Sequence, residues 1–382
     1  MKTTGIICEY NPFHTGHKKQ LSTIRSLQGA DSGIVCLMSG NFVQRGMPAI
    51  VDKQHRAKAA IVSGADLVLE LPVTVSLSSA EGFASGGVEI LSPFCDDLCF
   101  GTETADAQQL LATAQALLSD AFPEALRTEL DKGLSFPAAR QAALEATGHS
   151  GAALIQPNDI LAVEYCKAIL VQHSPMKPLP IHRCGSYHAT TADLQDPSAT
   201  AVRKLMLESG AWLDFVPAEA RNCFEGATLH SLEAGERAIL GQLRRMDDDA
   251  FEALPYGSEG LWRKLMHAAR RETTIDAILT AVKSKRYTMT RLNRLLMCAF
   301  LGISQNDLAT PAAYVRVLAF NDRGREILRI ARKTGNFYNL GEKVDAPYQA
   351  LENRCSDLYG LFAHGTPEAP GAESARRILY HT

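Results

Sequence analysis

Five short apolar runs, at 4–9, 34–39, 66–71, 97–101 and 178–184, are separated by stretches in which apolar residues recur every three to four positions. Runs of that length, alternating with helix-period segments, predict strands buried on both faces of a parallel sheet, an α/β doubly wound fold of Rossmann-like kind. The helical period predicts helices at 17–27, 52–63 and 79–91, and a longer helical insertion over about 104–172. Past Trp212 the strand rhythm fades, and helix-like periods dominate at 232–243, 260–282 and 290–301. With 382 residues the chain exceeds the ~250 to 300 that one core usually holds. A boundary is therefore expected near 210, between an α/β region (1–210) and a mainly helical one (211–382).

Polar residues collect where the predicted strands end, and there an open α/β sheet binds its ligand. His14, Gly40, Asn41, Gln44, Arg45, Gly101 and Arg183 all fall at such ends. The first is the most informative: Gly5 to Cys8 reads as a buried strand, Asn11-Pro12 as a tight turn, and His14-Thr15-Gly16-His17 as a helix start. A helix start offers unpaired N–H groups and a positive dipole end to a phosphate, and glycine removes the Cβ that would hold the phosphate away. His14 and His17 can then donate hydrogen bonds to a phosphoryl group as charge builds on it. A nucleoside triphosphate is the natural ligand, and attack on it the natural chemistry.

Other strand ends and helix starts extend this picture. Ser39-Gly40-Asn41-Phe42 with Gln44 and Arg45 suits a phosphate or a small carboxylate, although Met47 stands where a polar residue is expected. Asp52 reads as a helix cap, with Lys53 or Arg56 three residues apart placed to touch phosphate. Gly101 leaves room for an adenine or ribose against the backbone. Asn158 opens a helix after Pro157, Arg183 ends a strand, and Ser198 and Thr200 open a helix reaching Arg203, a second anion site.

Composition alters the picture in one respect. The net charge is −3, but residues 256–343 hold sixteen Lys and Arg against seven Asp and Glu, leaving the rest strongly acidic. A cationic face on an acidic protein can neutralise a phosphate backbone, and Lys283, Lys285, Arg286, Arg291 and Arg294 form its densest part. Nine cysteines, with no apolar segment of ~20 residues to span a membrane and no signal-like stretch after Met1-Lys2, predict reduced thiols and a cytoplasmic protein without a membrane partner. Cys95 with Cys99, and His182 with Cys184 and His188, lack the second pair of a zinc finger, so no metal-ligating residue is assigned. No P-loop and no G-x-G-x-x-G fingerprint occurs.

His14-Thr15-Gly16-His17 resembles the H-x-G-H signature of the nucleotidylyl transferase superfamily. The longer segments 7–17 and 38–46, together with Gln156 to Leu161 and Ser198 to Arg203, resemble the tRNA(Met) cytidine acetate ligase family, strongly over 1–210 and loosely beyond. The resemblance implies a HUP-type α/β fold in which residues 1–210 activate acetate with ATP and Mg²⁺, and residues 211–382 hold RNA. It implies His14 and His17 as catalytic residues. ATP contacts are implied for Ile7, Cys8, Glu9, Tyr10, Asn11, Pro12, Phe13, His14, Thr15, Gly16, His17, Lys18, Lys19, Gln20, Gly101, Asn158, Arg183, Ser198 and Thr200. Gly40, Asn41, Gln44 and Arg45 form the acetate or phosphate loop. The implied reaction forms acetyl-adenylate and passes acetyl to N4 of the wobble cytidine of elongator tRNA(Met), with acetate and that tRNA as partners and no protein partner. Two other readings stay open: an adenylyltransferase of a cofactor pathway, which has no need of the basic region, and a non-enzymatic RNA-binding protein, which has no need of both histidines.

Overall fold

The computed structural model describes residues 1–183, 197–208, 210–311, 314–339, 341–344 and 347–382. Cys184 and His188 lie outside the described residues. Strands β1 (Thr3–Cys8), β2 (Gly33–Ser39), β5 (Leu67–Leu71), β6 (Asp97–Thr102) and β7 (Lys177–His182) form at the predicted runs, and β3 (Phe42–Val43) with β4 (Met47–Pro48) makes a small hairpin. Three more strands come from the chain's last third: β8 (Val315–Phe320), β9 (Phe337–Asn339) and β10 (Leu379–Tyr380). The main sheet runs β10-β8-β5-β2-β1-β6-β7, with β9 also on β8. All its pairings are parallel except β5 with β8, which is antiparallel and shifts register between Val68 and Leu69.

Helices α1 (Thr15–Gln28), α2 (Lys53–Val62), α3 (Val73–Ser76) and α4 (Ala80–Leu91) connect the first strands. The insertion after β6 is wholly helical: α5 (Ala107–Leu117), α6 (Phe122–Asp131), α7 (Phe136–Ala146) and α8 (Pro157–Val171), while α9 (Ala199–Leu207) follows β7. Alternate residues of β2 point to opposite faces, and both faces are covered. Val35 and Leu37 pack with α4, α5 and α8 in one core; Ile34, Cys36 and Met38 pack with α1, α2 and α9 in another. That double burial is why the strands are continuous apolar runs. Gly87 of α4 lets the helix lie on β1, since a Cβ there would meet Ile7 Cδ1 at 2.4 Å.

A third core belongs to the helices between 236 and 301 and to Pro347–Tyr359, and Phe42, Val73 and Leu77 enter it. The region past 211 is thus mainly helical but also completes the sheet. Its strand β8 is seated by ions. The Arg316 guanidinium reaches Glu70 at 2.9 Å, Glu352 at 3.0 Å and Glu373 at 2.8 Å, and Lys53 Nζ bonds Glu70 at 2.7 Å and Glu373. All five groups are buried. Burial pushes the Arg316 guanidinium down, but the three carboxylates outweigh it and hold it above its ordinary value. Each charge is tolerable here only because the others are present.

Candidate active site

The loop leaving β1 delivers both histidines to one place. Phe13 is fully buried and Tyr10 nearly so, with Tyr10 in the left-handed region at φ 46°, a conformation that costs of order 1–3 kcal/mol for a non-glycine residue. It is held there by its hydroxyl, 3.3 Å from Cys36 Sγ, and by the edge of Phe13. His14 caps α1: its Nδ1 accepts from Gly16 N–H at 3.2 Å, and its own N–H donates to His17 Nδ1 at 3.2 Å. The two rings stack 3.7 Å apart at 23°.

This capping box settles the tautomers. Each Nδ1 accepts from a backbone N–H, so each neutral ring carries its proton on Nε2. Burial, with Arg183 and Arg203 nearby, pushes the His14 imidazole down to about 3. Burial, His14 and Arg183 likewise push His17 well below its ordinary value. Both are therefore neutral donors near pH 7, and His14 Nε2 has no hydrogen-bond partner among the described residues.

Both histidines line a cavity of about 730 Å³, within the ordinary range for a small-molecule site. From the sequence-predicted set the cavity wall also carries Ile7, Cys8, Glu9, Tyr10, Asn11, Gly16, Lys19, Gln20, Arg45, Gly101, Asn158, Arg183, Ser198 and Thr200. Four cations, Lys19, Arg45, Arg183 and Arg203, face two carboxylates, Glu9 and Glu233, among the described lining residues. That balance suits a polyanion. Arg203 donates to the Asn11 carbonyl at 2.6 Å, and Ser198 caps α9 through Ala201 N–H at 3.1 Å, so a second helix start meets the histidine loop. Gly101 is open: a Cβ there would touch only Arg183, at 3.7 Å. Asn158 donates to Glu103 at 2.7 Å, while Asp159 accepts from Glu103 and Thr104 N–H and from both neighbouring threonine hydroxyls. Burial works to raise the Asp159 carboxyl, and the bonds from Thr102 and Thr104 outweigh it and hold it low.

Several expected residues lie elsewhere. Pro12, Phe13, Thr15 and Lys18 do not line the cavity; Phe13 is core, and Lys18 pairs with Glu219. Gly40 and Asn41 are buried behind the wall. A Cβ on Gly40 would meet Glu70 Oε1 at 2.5 Å, and Asn41 Oδ1 accepts from Lys53 N–H at 3.1 Å. Gln44 braces the loop through its backbone, its N–H on Glu9 at 3.0 Å and its carbonyl on Arg294 at 3.3 Å. Of the four expected loop residues, Arg45 lines the cavity, beside Val43 of the same loop and Met47 after it. Lys53 and Arg56 do not touch it either: Lys53 belongs to the buried ion cluster, and Arg56, fully buried, donates to the carbonyls of Val51, Glu9, Ser39 and Gly40.

In the basic region, Lys283, Lys285 and Arg286 are exposed on the turn after Ile275–Val282. Arg286 pairs with Glu259 at 2.7 Å, and Lys283 closes the turn on the Ser284 and Tyr287 carbonyls. Arg291 is half-buried, fixed to the Tyr256 carbonyl and Ser258. Arg294 is buried against Tyr256 and Gln44, a brace between the two regions and not a surface cation.

Among the wall residues that the sequence reading missed are His182, Tyr165 and the segment His230 to Glu233. His182 was weighed only as a metal ligand. No spacing marks His230, whose place depends on a backbone bond to Ile50 at 2.8 Å.

A model of the HIGH nucleotidyl transferase family matches residues 1–369. Proteins named tRNA(Met) cytidine acetate ligase are 35% identical in Clostridium perfringens, over 90% of each chain, and 36% identical in Acetivibrio thermocellus, over 94% of each. The chain belongs to the tRNA(Met) cytidine acetate ligase family. Family likeness extends to the whole fold. Thermotoga maritima TmcAL in its apo form superposes with TM-score 0.91 at 31% identity, covering 100% of this chain and 99% of that one. The same protein bound with alpha-thio ATP gives 0.88 at 32%, covering all of both. No helix among the described residues is long and apolar enough to cross a membrane, and the eight described cysteines are free thiols.

Proposed function

We propose that the chain is an ATP-dependent ligase that converts acetate to acetyl-adenylate and transfers the acetyl group to N4 of the wobble cytidine of elongator tRNA(Met). The observation that carries this is the pair of neutral, stacked histidines, His14 buried and His17 half-buried, in a cationic cavity at two helix starts. Neutral Nε2–H donors give hydrogen bonds to a phosphoryl oxygen without adding fixed charge, so they gain most as negative charge develops there. Acetate attacks the α-phosphorus, a P–O bond forms to the carboxylate, and the bond to pyrophosphate breaks. His14 and His17 hold the α-phosphoryl oxygens, while Arg183, Arg203 and Lys19 hold the other phosphates; Arg45 takes the acetate carboxylate. Gly101 and Asn158 border the nucleoside.

Mg²⁺ is the ion we propose to travel with ATP. No group of three or more His, Cys, Asp or Glu side chains forms a cage among the described residues, which suits an ion held by phosphates and water. Glu9 and Glu233, the carboxylates on the wall, are the groups that would hold its water. When bound, the ion neutralises charge on the leaving pyrophosphate. Residues 1–210 form the activation unit and residues 211–382 hold the tRNA, with Lys283, Lys285 and Arg286 as exposed phosphate contacts. The setting is the cytoplasm, where ATP, acetate and tRNA meet. Neither a cofactor-pathway adenylyltransferase nor a non-enzymatic RNA-binding protein is favoured, since relatives matching nearly end to end carry the ligase name. Incubation with ATP, Mg²⁺, acetate and elongator tRNA(Met), followed by nucleoside mass spectrometry, should give N4-acetylcytidine; a product absent with acetate present would refute the reading.

A further inference from the structure

Transfer of acetyl to an exocyclic amine needs what activation does not, a group that removes a proton. As the N4–carbonyl bond forms and the bond from carbonyl to the AMP oxygen breaks, the amine must lose one proton. His14 and His17 cannot take it through Nε2, which already carries hydrogen, nor through Nδ1, which is occupied by a backbone N–H.

Two further histidines on the same wall have the opposite tautomer: His182, which is exposed and whose Nδ1 lies 3.1 Å from the Glu103 carbonyl oxygen, and His230, which is buried and held in one plane. His230 Nδ1 lies 3.0 Å from the Thr228 carbonyl oxygen. A carbonyl only accepts, so Nδ1 bears the hydrogen and Nε2 of the neutral ring presents a lone pair. The ring is buried and stacked on Tyr359 at 4.0 Å and 16°, which fixes its plane. Burial pushes it down to about 4, against the pull of Asp52, so it is in its basic form near neutral pH. Its position is tied to the histidine loop by two bonds in series: Asn11 Oδ1 accepts from Ile50 N–H at 2.8 Å, and the Ile50 carbonyl accepts from His230 N–H at 2.8 Å. The residue that supplies the base is thus three positions and two hydrogen bonds from His14, yet it belongs to the region that we assign to tRNA.

We propose that His230 is the base that receives the N4 proton during acetyl transfer, an inference that rests on the ligase reading above. A weak base suffices. The N4 lone pair is delocalised into the cytosine ring, so the nitrogen becomes strongly acidic once it has attacked. The proton passes to His230 Nε2, the electron pair of the breaking bond leaves with AMP, and the ring returns its proton to water.

The test separates the two half-reactions with His230→Asn, whose amide can still donate to the Thr228 carbonyl. In the wild type, acetate-dependent ATP–pyrophosphate exchange and trapping of acetyl-adenylate by hydroxylamine, a nucleophile that needs no base, report the ligase reading itself. If both are absent there, the reading fails and not the base assignment alone. In His230→Asn both should stay within about threefold of wild type, as should the Kd for tRNA, while single-turnover transfer to tRNA falls ~10²-fold or more, the usual scale for a lost proton acceptor. His230→Gln, which offers an oxygen acceptor that takes no proton, should be equally slow. Wild-type transfer in either variant, or a loss of exchange or of tRNA affinity as large as the loss of transfer, would overturn the proposal.

Discussion

His14 caps α1 and is proposed to hold a phosphoryl oxygen as well, two roles that substitution can part. Its Nδ1 caps α1 through the Gly16 N–H, while Nε2–H is the group assigned to the phosphoryl oxygen. His14→Ala removes both: the lost cap costs ~0.5–2 kcal/mol of stability, and the lost donor costs ~10²–10³ in rate, or ~3–4 kcal/mol of transition-state stabilisation. Asn is among the best caps, so His14→Asn should keep stability within a few tenths of a kcal/mol yet lose the same ~10²–10³ in rate. Urea unfolding gives the stabilities, and acetate-dependent ATP–pyrophosphate exchange gives the rates. Stability should split the two variants and exchange should not. If His14→Asn exchanges like wild type while His14→Ala does not, His14 is a helix cap and nothing more.

Further expectations follow from the same geometry. Gly101→Val should fold normally, since its Cβ meets only Arg183 at 3.7 Å, but should weaken ATP binding at least ~10-fold by filling ligand space; unchanged affinity by calorimetric titration would take the nucleoside away from Gly101. Lys53→Met leaves Glu70 and Glu373 short of a cation and should cost ~3–5 kcal/mol in urea unfolding; a loss under ~1 kcal/mol would mean the ion cluster does not seat β8. Because the folded-state pKa values of His14 and His230 lie below the unfolded one, their contribution is whole above ~6.5 and is lost as pH falls toward about 4 for His230 and about 3 for His14, at up to ~1.4 kcal/mol per pH unit for each. Equal stability at pH 7 and pH 5 would contradict the buried neutral state. Replacing Lys283, Lys285 and Arg286 with Ala should weaken tRNA binding and lower its salt slope by up to ~0.9 per lost phosphate contact; filter binding unchanged over a salt series would make the turn a solvated face.

The first five sheet strands and the histidine helix were legible because each is a local pattern: an apolar run, a proline turn, a capping residue. The helical insertion was legible for the same reason. Strand β8 was not. Val315 to Phe320 is as apolar as β2, but it follows a hundred residues of helical period, and what makes it a strand is remote: the antiparallel pairing to β5 and the carboxylates of Glu70, Glu352 and Glu373 around Arg316. The 40s loop shows the converse. Gly40 and Asn41 look like ligand groups at a strand end, yet the space before them is filled by Glu70 and the start of α2. His230 carried no local signal at all, since its place in the cavity is set by a backbone bond to a residue 180 positions earlier.

The cavity is proposed to join acetate to ATP before any RNA arrives. Isotope exchange between pyrophosphate and ATP, measured on the purified protein with Mg²⁺ and no tRNA, tests it most directly. Exchange that appears on adding acetate and vanishes without it is the predicted result; no exchange with acetate, or exchange only with a phosphorylated acceptor, would contradict it.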